Sequence, residues 1–185
     1  MPNFARRAAL AIPFALVVSA MAPLGAAAPD LRARVYHAFS TVRSYKLTVL
    51  GTVRSVGVWQ APNRYQMTTE FDGKPVKTII IGRDYWTLSD GKWQRSGTAN
   101  QLDVDIAGLL RVATHDKTPF LSLPDQVRDG RRVGTFAYTF KNGTQETCNY
   151  DRATYRVTRC KADELILLYS AYNDPANRVT NPLAH

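Results

Sequence analysis

The chain is poor in the side chains that most often do chemistry. Its 185 residues hold two cysteines and three histidines. His37 falls within a helical pattern near Arg34 and Phe39, and His185 is the last residue. Only His115, in His115-Asp116-Lys117, is placed like a site residue, and a loop histidine beside an aspartate is ordinarily a solvated pair. No G-x-S-x-G elbow occurs. Both cysteines are expected to be oxidised, so nucleophilic catalysis lacks its parts. There is no H-E-x-x-H, no acidic calcium loop, no clustered Cys/His ligand set and no phosphate-cradling glycine loop. Asp103 and Asp105 read as charges at a helix start, not as a catalytic pair. These absences point away from an enzyme and call for no metal and no cofactor.

Long apolar runs are equally scarce, with one exception. Arg6 and Arg7 precede an apolar stretch from Ala8 to Leu24, interrupted by Pro13, Ser19 and Pro23, and Gly25-Ala26-Ala27 follows. Charged start, apolar middle and small-residue end are the three parts of a secretory signal peptide. The competing reading is a membrane anchor, but the run is at the short edge for a bilayer span and carries two prolines. Residues 1–27 are therefore expected to be a cleaved signal, and residues 28–185 one exported domain, most simply periplasmic. No cysteine lies near the cleavage point for lipid attachment.

Acids are outnumbered, 15 against 24 lysines and arginines, for a formal charge of +9. Loss of Arg6 and Arg7 would lower it by two. The remaining bases are dispersed, densest at Arg128, Arg131 and Arg132 and at Arg152, Arg156, Arg159 and Lys161. In an exported protein such groups face anionic lipid surfaces or envelope proteins, not nucleic acid, or simply keep strand edges solvated.

What is abundant is alternation. Asp30 is placed to cap a helix over about 31–43, whose apolar stripe is Leu31, Val35, Ala38, Phe39 and Val42. From Tyr45 onward period-two patterning dominates: Tyr45–Val49 and Val53–Trp59 bent at Gly51, then Arg64–Phe71, Val76–Ile81, Asp84–Leu88 and Lys92–Arg95. Turns are marked by Ala61-Pro62-Asn63, Asp72-Gly73-Lys74 and Asp90-Gly91. Leu102, Ile106, Leu109, Leu110 and Ala113 return to helical spacing, and residues 114–124 read as a loop carrying Thr118-Pro119-Phe120-Leu121. Strands follow at about 126–129, 131–141, 144–150, 155–161 and 164–172, with Asn142-Gly143 as a hairpin turn. Pairing about Thr154 sets Cys148 opposite Cys160, both on one face, and an oxidising compartment should join them. A meander of about ten to eleven strands with one helix before it and one in its middle must close on itself, or curl and be covered by the helices.

The order of short motifs along the chain resembles a known family. Val58-Trp59-Gln60-Ala61-Pro62-Asn63-Arg64-Tyr65 is followed by Ile80-Ile81-Gly82-Arg83-Asp84-Tyr85-Trp86 and Asp90-Gly91-Lys92-Trp93. Thr118-Pro119-Phe120-Leu121 comes next, then Thr154-Tyr155-Arg156-Val157-Thr158 and Val179-Thr180-Asn181-Pro182. This order is similar to the LolA-like superfamily of periplasmic lipoprotein and lipid carriers. The resemblance implies an α+β, mostly antiparallel fold: a curled half-barrel with a helix/loop lid over an apolar cavity for acyl chains. Lipoprotein carriers have an arginine before the proline of the strand-end motif; this chain has Ala61, with Arg64 three residues on. Lipoprotein shuttling and the binding of another lipid or apolar molecule both stay open.

The cavity and lid are expected to be formed by Trp59, Tyr65, Met67, Ile80, Trp86, Leu109, Leu110, Phe120 and Leu121. A basic rim of Arg64, Lys74, Lys77, Arg128 and Arg131 would meet anionic headgroups. Expected partners are a lipid or acylated protein and an envelope membrane protein, with the domain itself a monomer. Two other readings compete. One is a protein-interaction module on the same scaffold, its cavity filled by its own side chains. The other is a small-molecule enzyme, for which His115 is the candidate.

Overall fold

The computed structural model describes residues 30–98, 119–140 and 143–182. The expected signal segment, the central helical pattern with Leu109 and Leu110, His115, and Asn142 lie outside the described residues. Among the described residues no helix is long and apolar enough to cross a membrane.

The chain opens with α1 (Leu31–Ser40), three residues shorter than the apolar pattern suggests. The Asp30 side chain accepts from the backbone N–H of Arg32, and the helix stops at Thr41. Val35 and Ala38 are its buried face. Six strands follow as a simple meander: β1 (Ser44–Leu50), β2 (Arg54–Gln60), β3 (Arg64–Phe71), β4 (Lys74–Ile81), β5 (Asp84–Ser89) and β6 (Lys92–Thr98). Five more form a second meander: β7 (Leu121–Arg128), β8 (Arg131–Thr139), β9 (Gln145–Tyr150), β10 (Val157–Ala162) and β11 (Leu165–Ser170). All pairings are antiparallel, and the order is β6-β5-β4-β3-β2-β1-β11-β10-β9-β8-β7. Among the described residues the two meanders are hydrogen-bonded to each other through β1 and β11. The sheet is curled and does not close, because β6 and β7 are its two outer edges.

One expectation is corrected at β7. Residues 121–124 are strand, not loop, although they include Pro124. Proline removes a ladder donor, which an edge strand or a bulge tolerates. Here both conditions hold: β7 is an edge, and its register with β8 shifts between Leu123 and Gln126.

Period-two parity sorts the two faces. One row runs across the sheet as Tyr45, Trp59, Tyr65, Ile80, Tyr85 and Gly97, each opposite the next. The same face carries Leu47 opposite Tyr169, and Phe136 opposite Cys148 opposite Cys160 opposite Leu167. With Val35 and Val42 from the α1 region these residues form the core, so α1 packs on this inner face.

Cys148 and Cys160 are joined across β9 and β10 with Cα atoms 4.1 Å apart. Both are buried in that core. Replacing both by alanine should cost roughly 2–3 kcal/mol, since a short loop is no longer closed in the unfolded chain. Urea unfolding of the oxidised and the double-alanine proteins checks this, and equal midpoints would remove the disulfide from the stability account.

Candidate functional site

The curl leaves a half-open concavity of about 520 Å³ over the first meander. Four strands supply its walls. β3 gives Tyr65, Met67, Thr69 and Phe71; β4 gives Val76, Thr78 and Ile80. Tyr85 comes from β5, and Ser96, Gly97 and Thr98 from β6. Alternation makes this set: odd residues of β3 face even residues of β4 through the pairs Tyr65–Ile80, Met67–Thr78 and Thr69–Val76. Tyr65 and Ile80 are buried and belong to the inner end, whereas Phe71 is half exposed at the outer end. Among the described residues the lining is apolar and aromatic with a few hydroxyls and no charged side chain. The size is that of a small-molecule site.

Tyr65, Met67 and Ile80, expected as cavity residues, do line this space. Trp59 adjoins it, stacked on Tyr45 with ring centroids 5.1 Å apart and paired with Tyr65 in the same row. Trp86 does not belong. It pairs with Ile79, one position out of phase with Ile80 and Tyr85, and so lies on the outer face. Tyr85, the residue before it, takes the inner position.

The lid tip is also corrected. Phe120 stacks on Phe136 at 4.4 Å and lies 5.6 Å from Tyr138, packed against the core. Leu121 is the first residue of β7, opposite Ala137, and is 61% exposed on the other face. The second meander is thus filled by its own rings. Phe136 and Tyr150 are 6.0 Å apart, Tyr150 stacks on Tyr155 at 5.6 Å, and the Arg34 guanidinium from α1 lies over Tyr155.

The basic rim breaks up in the same way. Arg64 and Lys77 are on the outer face, since their neighbours Tyr65, Val76 and Thr78 point inward. The regular pairing of Arg64 with Gln60 and Ile81 keeps it there. Lys74 shares the cavity's face at the outer end, opposite Phe71. Arg128 and Arg131 face each other at the β7–β8 hairpin, the far edge of the sheet, where Arg128 donates to Gln126.

Sequence reasoning passed over a buried polar cluster on the inner face. Glu146 is 1% exposed. The Tyr138 hydroxyl donates to its Oε2 at 2.6 Å. Its Oε1 lies 3.8 Å from Cys148 Sγ, which as a disulfide sulfur has no proton to give. Burial pushes the Glu146 carboxyl up to about 7, against the pull of the Tyr138 hydrogen bond. Burial, and then the Glu146 charge, raise the Tyr138 phenol. Burial first, then Glu146, Tyr172 and Tyr65, raise the Tyr169 phenol. The signal was present: Glu146 stands two residues before Cys148 in a strand, hence on the same inward face. Glu146 with Cys148 and Cys160 is a compact set of ligand-type atoms, but the disulfide occupies both sulfurs.

Among the described residues a curled open sheet, one short helix against its inner face and an apolar concavity make a half-barrel with a LolA-like fold. The lipoprotein LppX of Mycobacterium tuberculosis superposes with a TM-score of 0.63 at 15% identity, over 81% of this chain and 98% of its own. LprF from Mycobacterium bovis gives 0.60 at 15% identity, over 84% of this chain and 98% of its own. No family model and no curated protein matches the sequence. Likeness at this identity concerns the fold.

Proposed function

We propose that this protein is a non-enzymatic periplasmic carrier or sensor that binds an acyl chain in the concavity of the first meander. One observation carries the reading: an uncharged, largely apolar space of about 520 Å³ that the described residues leave unfilled. Burying a chain there gains on the order of 0.8 kcal/mol per methylene. Lys74 at the outer end suits an anionic head. The signal-like residues 1–27 and the disulfide both fit an oxidising compartment outside the cytoplasm.

The test is thermal unfolding of delipidated protein with palmitate. At a hundred times its Kd a ligand stabilises by about 2.7 kcal/mol, a rise of about 5–10 °C for a domain of this size. Met67→Arg, which sets a charge in the middle of the lining, should abolish the shift. No shift with any acyl ligand, and no lipid carried through purification from the native compartment, would sink the reading.

A second reading draws on the other half of the molecule. Phe120, Phe136, Tyr138 and Tyr150 fill the space under the second meander, as a protein-interaction module with a self-filled interior would. Under that reading a stoichiometric protein partner is captured without lipid.

A further inference from the structure

The two faces of the sheet differ in charge. Among the described residues the concavity is lined without a charge, whereas the outer face of the second meander is basic. Register places Lys46 of β1, Arg159 and Lys161 of β10, and Arg128 and Arg131 of the β7–β8 hairpin on that face. No outward strand position described from β1 through β11 to β7 holds a carboxylate. Asp129, Asp163 and Glu164 stand in turns. Asp125, in the β7 bulge, lies 2.9 Å from Arg132 and 2.6 Å from Arg152, and Asp151, just after β9, feels Arg131. The C-terminal tail meets the outer face on β1 and β2, where Asn177 donates to Ser44 and Val179 to the Gln60 side chain. Lys46, Arg128, Arg131 and Lys161 stay exposed.

A polar network holds the centre of this face. Asn149, 3% exposed, donates to Thr135 Oγ1 at 3.0 Å and reaches Gln126 Oε1 at 3.5 Å. The same Gln126 oxygen accepts from Arg128 Nε and Nη2 at 3.2 and 2.9 Å. Arg128 is thereby oriented at the use of only part of its donor fork. Asn149 is also the cross-strand partner of Arg159. Burial, and then the Arg128 charge, lower Arg159, and no carboxylate among the described residues relieves the pair. Like charges gathered in this way attract an anion from outside the chain.

We propose that the outer face of the second meander docks the protein on an anionic phospholipid bilayer, with Arg128 and Arg159 against headgroup phosphates. The spread of the bases decides for a bilayer. From Lys46 on β1 to Arg128 on β7 they cover five strand spacings, roughly 24 Å. A single phosphate or carboxylate cannot span that width, but an array of headgroups does. Guanidinium groups match phosphate oxygens in geometry as well as charge. Leu121, 61% exposed on the same face, adds an apolar contact. Docking of this kind needs nothing in the concavity, which lies on the opposite face.

The test is cosedimentation of the protein, as exported, with phosphatidylcholine vesicles that contain or lack phosphatidylglycerol. Binding should require phosphatidylglycerol and should vanish at about 1 M salt, where charges are screened within about 3 Å. Each base close to such a surface is worth about fivefold in partitioning. Arg128→Gln/Arg159→Gln/Lys161→Gln should therefore bind about a hundredfold more weakly. Arg54→Gln/Arg64→Gln/Lys77→Gln removes the same charge from the outer face of the first meander and should lose at most about fivefold. Lys46→Gln/Lys161→Gln alters two exposed side chains alone and should lose about 25-fold, so the test survives if the first triple variant does not fold. Circular dichroism checks the fold of each. Equal binding to both vesicle types, no binding to either, or equal losses in the two triple variants overturns the proposal and leaves the carrier reading standing.

Discussion

Between pH 5 and pH 8 the protein should lose about 3 kcal/mol of stability, and Glu146→Gln should lose almost none of it. The cause is one carboxyl. In the unfolded chain Glu146 releases its proton near 4.5, whereas in the fold burial holds the proton up to about pH 7. Across that window the native state binds more protons than the unfolded state. Stability therefore falls as pH rises through it and levels off above the folded value. Below the unfolded value the contribution is constant and complete. The glutamine variant keeps an acceptor for the Tyr138 hydroxyl but has no proton to lose. It should equal the parent at pH 5 and exceed it at pH 8. Chemical denaturation of both proteins at four pH values checks this, and parallel profiles would show that Glu146 is not the titrating group.

The second large effect sits on a glycine. A Cβ built on Gly134 would stand 2.2 Å from Cζ of Tyr150 and 2.5 Å from its Cε1 and hydroxyl oxygen. Tyr150 is the direct cross-strand partner, and its ring covers the glycine. To yield, the ring must give up its contacts with Phe136 and the stacked Tyr155. Gly134→Ala should therefore cost about 3 kcal/mol, the upper part of the range for overpacking a core. The effect belongs to the pair. In a Tyr150→Leu background the same alanine should cost far less, so the double variant falls well short of the sum of the singles. Additive losses in thermal unfolding would contradict the close approach.

How far these features could be read beforehand depended on whether one face of a strand was apolar. β3 alternates cleanly, so Tyr65 and Met67 read as interior, and its register with β4 sets Ile80 beside Tyr65. Asp72-Gly73 and Asp90-Gly91 adopt positive φ at both residues, as two-residue hairpins require. β5 is different. Tyr85, Trp86 and Leu88 put apolar side chains on both faces. Only its register with β4 decides which face is inner, and that register is a long-range fact invisible in a six-residue string. Pro124 looked like loop because the edge position and bulge that tolerate it depend on strand order. Glu146 was overlooked for the opposite reason. Its charge argued for solvent, while its parity with Cys148 placed it inside, and the fold obeyed parity.

The seam between β1 and β11 has a kinetic consequence. Within each meander every strand pairs with its neighbour in sequence, so both halves consist of local hairpins that close over short loops. Lys46 and Ser170, by contrast, come from opposite ends of the chain. Nearly all the contact order of the sheet is concentrated in that one junction, and chain entropy must be surrendered there before any reward is collected. Docking of the two halves is then expected to be the slow event in folding. Until it happens β1 and β11 are bare edges carrying Leu47, Leu167 and Tyr169, the stretch from which this protein would aggregate.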